Sequence, residues 1–387
     1  MTMAEEALSV SVAETIHELT PKEWDALIGE HNPFVEHRFL AALEDSGSLG
    51  SRSGWMPTYL VVRDAAGSLR AAAPTYLRSN SYGEYIFDWA WARACSNSGL
   101  AYYPKVTAAV PFTPATGPRL LVHPQEDASA MRAVLGRAAL SLAQQSECSS
   151  VHWLFCSEEE ARDLQKHGYL VRQTFQYHWH NRGWSDFAAF LADLTRKRRG
   201  EITRERRRLR DAGVDVVLLR GEDLKMSHWQ ALHSFYRDTT AKMGGIAYLE
   251  PAFFLEHAPA LLAERAVAVL ARRDGEWIAG SLSFERGKHL YGRYWGCREE
   301  VAGLHFELCY HQLIEYAISQ GMTRFEAGAQ GDHKVRRGLL PSSTWSAHYL
   351  AHPGLREAVR EHLEYEQNEV ARQMQWLRER GPYKDNS

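Results

Sequence analysis

LYGRYWGCREEVAGLHFELCYHQLIEYAISQGMTRFEAGAQGDHKVRR, residues Leu290 to Arg337, decides the fold. A polar-aromatic strand enters a loop, a long helix follows, and a second strand ends in a glycine-rich, charged turn. In the helix, Phe306, Cys309, Tyr310, Leu313, Ile314, Ala317 and Ile318 recur in steps of three and one, which predicts a broad buried face. Glu307, His311 and Glu315 fall four apart on another face. Strand alternation would set Tyr291, Arg293 and Trp295 on one side and Gly292, Tyr294 and Gly296 on the other. Arg293, Tyr294, Glu326, Gln330, His333 and Lys334 stand too close together for an ordinary core, so chemistry is expected here.

Outward from this stretch, a pattern repeats. TYLVVRDAAGSLRAAAPTYLR, from Thr58 to Arg78, reads as a β-hairpin, and so does AVAVLARRDGEWIAGSLSFER, from Ala266 to Arg286. A helix from Ala128 to Gln145 and a strand from Val151 to Phe155 follow the first. A helix from Leu304 to Ser319 and a strand from Thr323 to Ala329 follow the second, about 210 residues later. The repeated order implies two similar α/β lobes. Between them TRKRRGEITRERRRLR, Thr195 to Arg210, holds nine Lys or Arg in sixteen residues, with Leu194, Ile202 and Leu209 able to anchor one helical face. Leu355 to Arg378 is a further, charge-alternating helix. The expected divisions are 1–175, 176–350 with the basic helix 195–210, and 351–387.

With 387 residues, two domains are the default. A net charge of −3 gives no general attraction to nucleic acid or membrane, so any basic site is local. Five cysteines, with no CxxC, argue against a disulfide framework or zinc ribbon and suit a reducing cytoplasm. The acidic start MTMAEEALSV lacks a signal peptide's basic and apolar regions, and no apolar run nears the roughly 18 residues of a membrane span. His178 and His180 share one face of QYHWHN, but no further ligand completes a metal site, so no metal is expected.

Several motifs carry candidate chemistry. The basic helix, through Arg196, Lys197, Arg198, Arg199, Arg204, Arg206, Arg207 and Arg208, suits RNA or a phosphorylated donor. The plainer alternative is a solvated face partly neutralised by Glu201 and Glu205. In GAQGDHKVRRG, His333 suits a general acid or base, while Lys334, Arg336 and Arg337 suit an anion. Tyr294 is placed to donate to an oxyanion. In SYGEYIFDWAWA, Glu84 and Asp88 stand four apart among aromatics, followed by YYPK with Tyr103 and Lys105, and by the proline-rich PFTPATGPR ending in Arg119. Carboxylates beside aromatics suit recognition of an amine or work as a base.

NPFVEHRFLAALEDSGS, SYGEYIFDWAWA, YYPK, PFTPATGPRLL, TRKRRGEITRERR, YGRYWG, LHFELCYHQ and GAQGDHKVRRG occur in that order. Together they resemble the FemAB-like N-acyltransferases of bacteria, over roughly Asn32 to Glu366. Asn80 precedes SYGEY where that family usually carries a histidine. The resemblance implies an α/β protein with mixed sheets: two tandem GNAT-like lobes, a cleft between them, a basic helical insertion and a C-terminal helix. It also implies an amide-forming enzyme. Fem ligases move an aminoacyl group from aminoacyl-tRNA to an amine, with a basic helical insertion near the RNA.

Acyl-CoA enzymes of this superfamily use a glycine-rich loop before a helix, whose amides hold the pyrophosphate. CREEVAGLHFE offers one glycine, Gly303, with Glu299, Glu300 and Glu307 around it. Each carboxylate would repel a pyrophosphate by about 1–4 kcal/mol. The expected donor is therefore aminoacyl-tRNA as a co-substrate, with no bound cofactor. The alternatives are an acyl-CoA donor, or a non-catalytic RNA-binding protein on the same scaffold. The expected acceptor is a small-molecule or peptide amine. In this reading Asp88, Tyr294, Glu307, His333 and Lys334 are catalytic. Glu84, Tyr103, Lys105, Arg119, Arg293, Glu326, Gln330 and Arg337 bind substrate.

Overall fold

The computed structural model describes residues 8–384 apart from 87, 243, 329 and 330. The chain forms two compact units. The first runs to Thr174 and takes back Thr344–Val370; the second comprises Phe175–Ser343 and the chain from Ala371. The C-terminal helix Pro353–Glu379 contributes to both. Among the described residues, no helix is long and apolar enough to cross a membrane.

In the first unit, Tyr59–Arg63 and Leu69–Ala73 form the expected antiparallel hairpin. Thr75–Arg78 pairs antiparallel with Lys105–Ala108, which in turn runs parallel to Ser150–Cys156. The crossover is the helix Ala128–Gln145, whose start is capped by Asp127 accepting from the Ala130 amide at 3.0 Å. This helix and these strands enclose a core that includes Leu135, Ala139, Val151, Trp153 and Leu164. Residues 345–350 pair with the far side of Ser150–Cys156.

In the second unit, Asp215–Arg220, Ala266–Arg273, Glu276–Arg286 and His289–Cys297 lie antiparallel in sequence order. A helical crossover at residues 304–319 then returns the chain to Arg324–Glu326, parallel to His289–Cys297. Each unit thus follows antiparallel strands with a parallel pair across a helix, which is the repeat read from the sequence. Among the described residues, the parallel pairing covers residues 289–291 of His289–Cys297. The strand expected to reach Ala329 is extended only over Arg324–Glu326, and residue 329 lies outside the described set.

Two single-residue insertions depart from the sequence pattern. Leu282 pairs with Tyr294 but Ser283 with Gly292, so Arg293 is the extra residue of a β-bulge. The bulge breaks the expected alternation at Arg293. In the crossover, Leu304–Phe306 and Gln312–Ser319 are α-helical, but Glu307–His311 forms a π turn. The wider turn buries Glu307, Leu308 and His311 as well as the expected apolar face. They are covered by the basic helix Arg196–Asp211, whose Ile202 and Leu209 join the same core as Leu304 and Leu308.

The glycines of the bulged strand do mark a close approach, but by the protein itself. A Cβ on Gly296 would lie 2.0 Å from the Phe235 carbonyl oxygen in the helix Met226–Lys242. Gly296→Ala is therefore expected to cost about 3 kcal/mol, the upper end for overpacking, because a backbone must move. Urea denaturation checks this: the midpoint falls with the slope unchanged, whereas an unshifted midpoint contradicts the packing.

Candidate active site

The end of the second unit's crossover gathers a wall of rings. The His333 ring lies 5.5 Å from Phe306 and 5.9 Å from both His305 and Tyr310, and Trp295 stands 5.1 Å from His305. The π turn contributes to this grouping: His305 precedes it and Tyr310 lies within it, and both reach His333. The Tyr310 hydroxyl is 3.1 Å from His333 Nε2. His333 Nδ1 has no hydrogen-bond partner among the described residues, and the side chain is half-buried. Burial, with Lys334 and Arg337 nearby, lowers the His333 pKa, so the imidazole stays neutral at neutral pH. His305 is driven further, to about 4, chiefly by burial.

Lys334 lies near enough to this wall to act electrostatically on His305 and His333. Its ammonium donates to the Ala327 and Gly328 carbonyls at 2.6 and 3.0 Å and is almost wholly buried. Burial lowers its pKa to about 8. A lysine so placed is a fixed cation that can lose its proton within a modest pH range. The short helical turn Asp332–Arg337 presents both residues, and the Tyr177 hydroxyl, donating to Asp332 at 2.5 Å, holds the start of that turn.

The other expected site residues of this unit do not converge there. Tyr294 points to the opposite side of its strand from Trp295, its ring 5.4 Å from Tyr236 and 5.9 Å from Phe254. Burial raises its pKa, and the Arg293 guanidinium sits 5.4 Å from its ring. Glu307, expected as a base, is saturated by His311, Gln312 and Arg206 at 3.1, 2.6 and 3.0 Å. Burial favours its neutral form, but these partners outweigh it and hold its pKa below the usual value. Arg337 is paired with Glu205 at 2.6 Å and stacked 3.3 Å above Phe306. Glu326 is paired with Arg324 at 3.0 Å, and Gln330 lies outside the described residues. Of the expected catalytic set, His333 and Lys334 remain together, and His305, Phe306, Tyr310 and Trp295 are additions. LHFELCYHQ carried the signal, but α-helical spacing gives no reason for His305 and Tyr310 to reach a common ring.

The first unit does bring its expected residues together, as a closed network. Lys105 Nζ donates to Ser81, Glu84 and Asp88 at 2.7, 2.8 and 2.5 Å. Arg78 Nε meets the other Glu84 oxygen at 3.2 Å, and the Tyr102 hydroxyl donates to Asp88 at 2.7 Å. Arg78 and Lys105 are wholly buried, so two cations face two carboxylates away from water. The charges of Glu84 and Lys105 are thereby neutralised within the protein, which corrects their reading as substrate ligands. Tyr103 is spent on Ser81 at 2.8 Å. Asp88 keeps one oxygen, Oδ1, without a partner among the described residues. Arg119 is buried and donates to the carbonyls of Ala115, Gly117, Pro118 and Leu154, so it shapes the proline-rich loop instead of reaching a substrate.

On the basic helix, Arg196, Lys197, Arg204, Arg207, Arg208 and Arg210 are exposed. Arg198 and Arg199 are half-buried, and Arg198 pairs with Glu201 at 2.8 Å. Arg206 turns inward to Glu307 and Glu315 at 3.0 and 2.7 Å, which removes it from the expected RNA face.

Two units of antiparallel strands, each followed by a parallel pair across a helix, with a basic helix in the second, define a tandem acetyltransferase-like α/β protein. The family model for FemAB-like proteins, described as peptidoglycan biosynthesis/recognition, matches residues 15–385. The chain belongs to that family and is an acyltransferase. Solved structures share its fold. One is FemX, at 11% identity and a TM-score of 0.54, covering 88% of this chain and 98% of that one. L-PGS from Bacillus licheniformis matches at 11% identity and a TM-score of 0.51, over 86% and 98%. A conserved Bacteroides thetaiotaomicron protein of unknown function matches at 10% and 0.53, over 88% and 99%. No curated protein matches the sequence.

Proposed function

We propose that the protein forms an amide by moving an aminoacyl group from aminoacyl-tRNA to an amine acceptor in the cytoplasm. One observation carries the choice of donor. The basic helix lies against the turn before the crossover helix, with Glu205 Cβ 3.6 Å and Glu205 Cα 3.9 Å from where a Cβ of Gly303 would stand. That is where a CoA-using lobe holds pyrophosphate. Here the position is taken by a carboxylate-bearing helix turn, while the same helix turns six cations outward. The family's description favours a peptide amine of a cell-wall precursor as acceptor.

In this reading the acceptor amine attacks the ester carbonyl beside the ring wall. The C–N bond forms, and His333 takes the amine proton. The Lys334 ammonium offsets the charge on the carbonyl oxygen. Collapse breaks the ester C–O bond, and His333 returns the proton to the ribose oxygen. Alignment supplies much of the rate, because the ester is already activated.

The cationic form of Lys334 is lost as pH rises through about 8. The transfer rate should therefore fall above about that pH, and Lys334→Arg, which keeps its charge, should remove that limb of the pH–rate profile. A limb unchanged in Lys334→Arg contradicts the assignment. The donor is tested by incubating the protein and an amine-bearing peptide with charged tRNA and, separately, with acyl-CoA. Product from acyl-CoA alone overturns the reading.

A further inference from the structure

We propose that Glu205 is a positioning residue that fixes the His333–Lys334 turn to the basic helix through a buried network centred on His311. This rests on the reading of the basic helix as the donor's docking surface and of His333 as the base. The His311 ring is fully buried, with Nδ1 3.1 Å from Glu307 Oε2 and Nε2 3.6 Å from Glu205 Oε2. His311 Nε2 and Glu205 Oε2 are both buried without a hydrogen-bond partner, and they face each other. Each carboxylate spends its other oxygen on a guanidinium: Arg337 meets Glu205 Oε1 at 2.6 Å, and Arg206 meets Glu307 Oε1 at 3.0 Å. Arg206 also reaches Glu315, so three carboxylates and two guanidiniums gather around the His311 ring.

The consequence lies in Arg337. One of its terminal nitrogens holds Glu205, and the other donates to the His333 carbonyl at 3.1 Å. A single side chain thus ties a carboxylate of the RNA-facing helix to the backbone of the proposed base. On its other side Glu205 passes beside Gly303, where a Cβ would stand 3.6 Å from Glu205 Cβ and where the φ of +89° suits glycine. Any shift of the helix toward or away from a docked donor is passed by Glu205 and Arg337 to the turn that presents His333 and Lys334. An error of about 1 Å there is costly to an enzyme that works by alignment.

Glu205→Gln keeps the shape and removes the charge. It should lower kcat with a charged-tRNA donor about 10-fold while leaving the RNA dissociation constant within about 2-fold. In the RNA-free protein, hydrogen exchange of the amides at 332–338 should quicken in Glu205→Gln and in Arg337→Lys, with the strands unaffected. Exchange unchanged at 332–338 overturns the proposal, and so does exchange quickened equally throughout the unit. If the wild-type protein binds no RNA, the donor reading fails. Selective quickening at 332–338 still upholds the positioning role.

Discussion

Replacing Arg204, Arg207 and Arg208 together with alanine should weaken RNA binding about 100-fold near physiological salt and flatten its salt dependence by about two to three charges. These three side chains are exposed on the basic helix, so removing them breaks no ion pair among the described residues. Their contribution is counterion release: each phosphate contact adds nearly one to the slope of log K against log salt. Arg206 supplies the contrast. It is directed at Glu307 and Glu315, and Arg206→Ala should cost about 2–3 kcal/mol of stability while barely moving the salt slope. Titrating tRNA at several salt concentrations, alongside denaturation of each variant, separates the two. A salt slope lost in Arg206→Ala but kept in the triple variant contradicts the assigned face.

Lys105→Met should have the largest effect on stability, about 3–5 kcal/mol, because it leaves Glu84 and Asp88 buried with one cation fewer. Asp88 gives the effect its pH signature. Burial pushes the carboxyl up, but attraction and a hydrogen bond from Lys105, then the bond from Tyr102, outweigh it and hold the pKa below the usual value. A depressed carboxylate stabilises the fold above its unfolded pKa of about 3.9, and that contribution is lost as pH falls through the lower folded value. Without Lys105, burial is opposed chiefly by the Tyr102 hydrogen bond, and acid relieves the unpaired charge. The gap between wild type and Lys105→Met should thus narrow from pH 7 toward pH 4, and Asp88→Asn should recover part of it. A Met variant as stable as wild type at pH 7 contradicts the network.

Hairpins, helices and their order were legible because apolar periodicity records burial directly. The helix Ala128–Gln145 and the pair Ala266–Arg273 and Glu276–Arg286 follow from residue spacing alone. The bulge at Arg293 and the π turn at Glu307–His311 were not legible, since each adds one residue without changing composition. Both bear on the site: one separates Tyr294 from its expected company, and the other brings His305 and Tyr310 to His333. Glu84, Asp88 and Lys105 were visible as an unusual group, but only the fold shows that their charges satisfy one another. Arg206 and Arg208 look alike in the sequence, yet one is an internal tie and the other faces solvent. Pairs such as Glu205 with Arg337, 132 residues apart, leave no mark on either local pattern.

Everything proposed for the site depends on the acyl group coming from aminoacyl-tRNA. Mass spectrometry of a peptide-amine pool, incubated with tRNA charged with isotope-labelled amino acids, tests it most directly. A labelled aminoacyl mass should appear on one amine as the tRNA ester is lost, and acyl-CoA should give no product. Acylation from acyl-CoA with the tRNA ester left intact would contradict it.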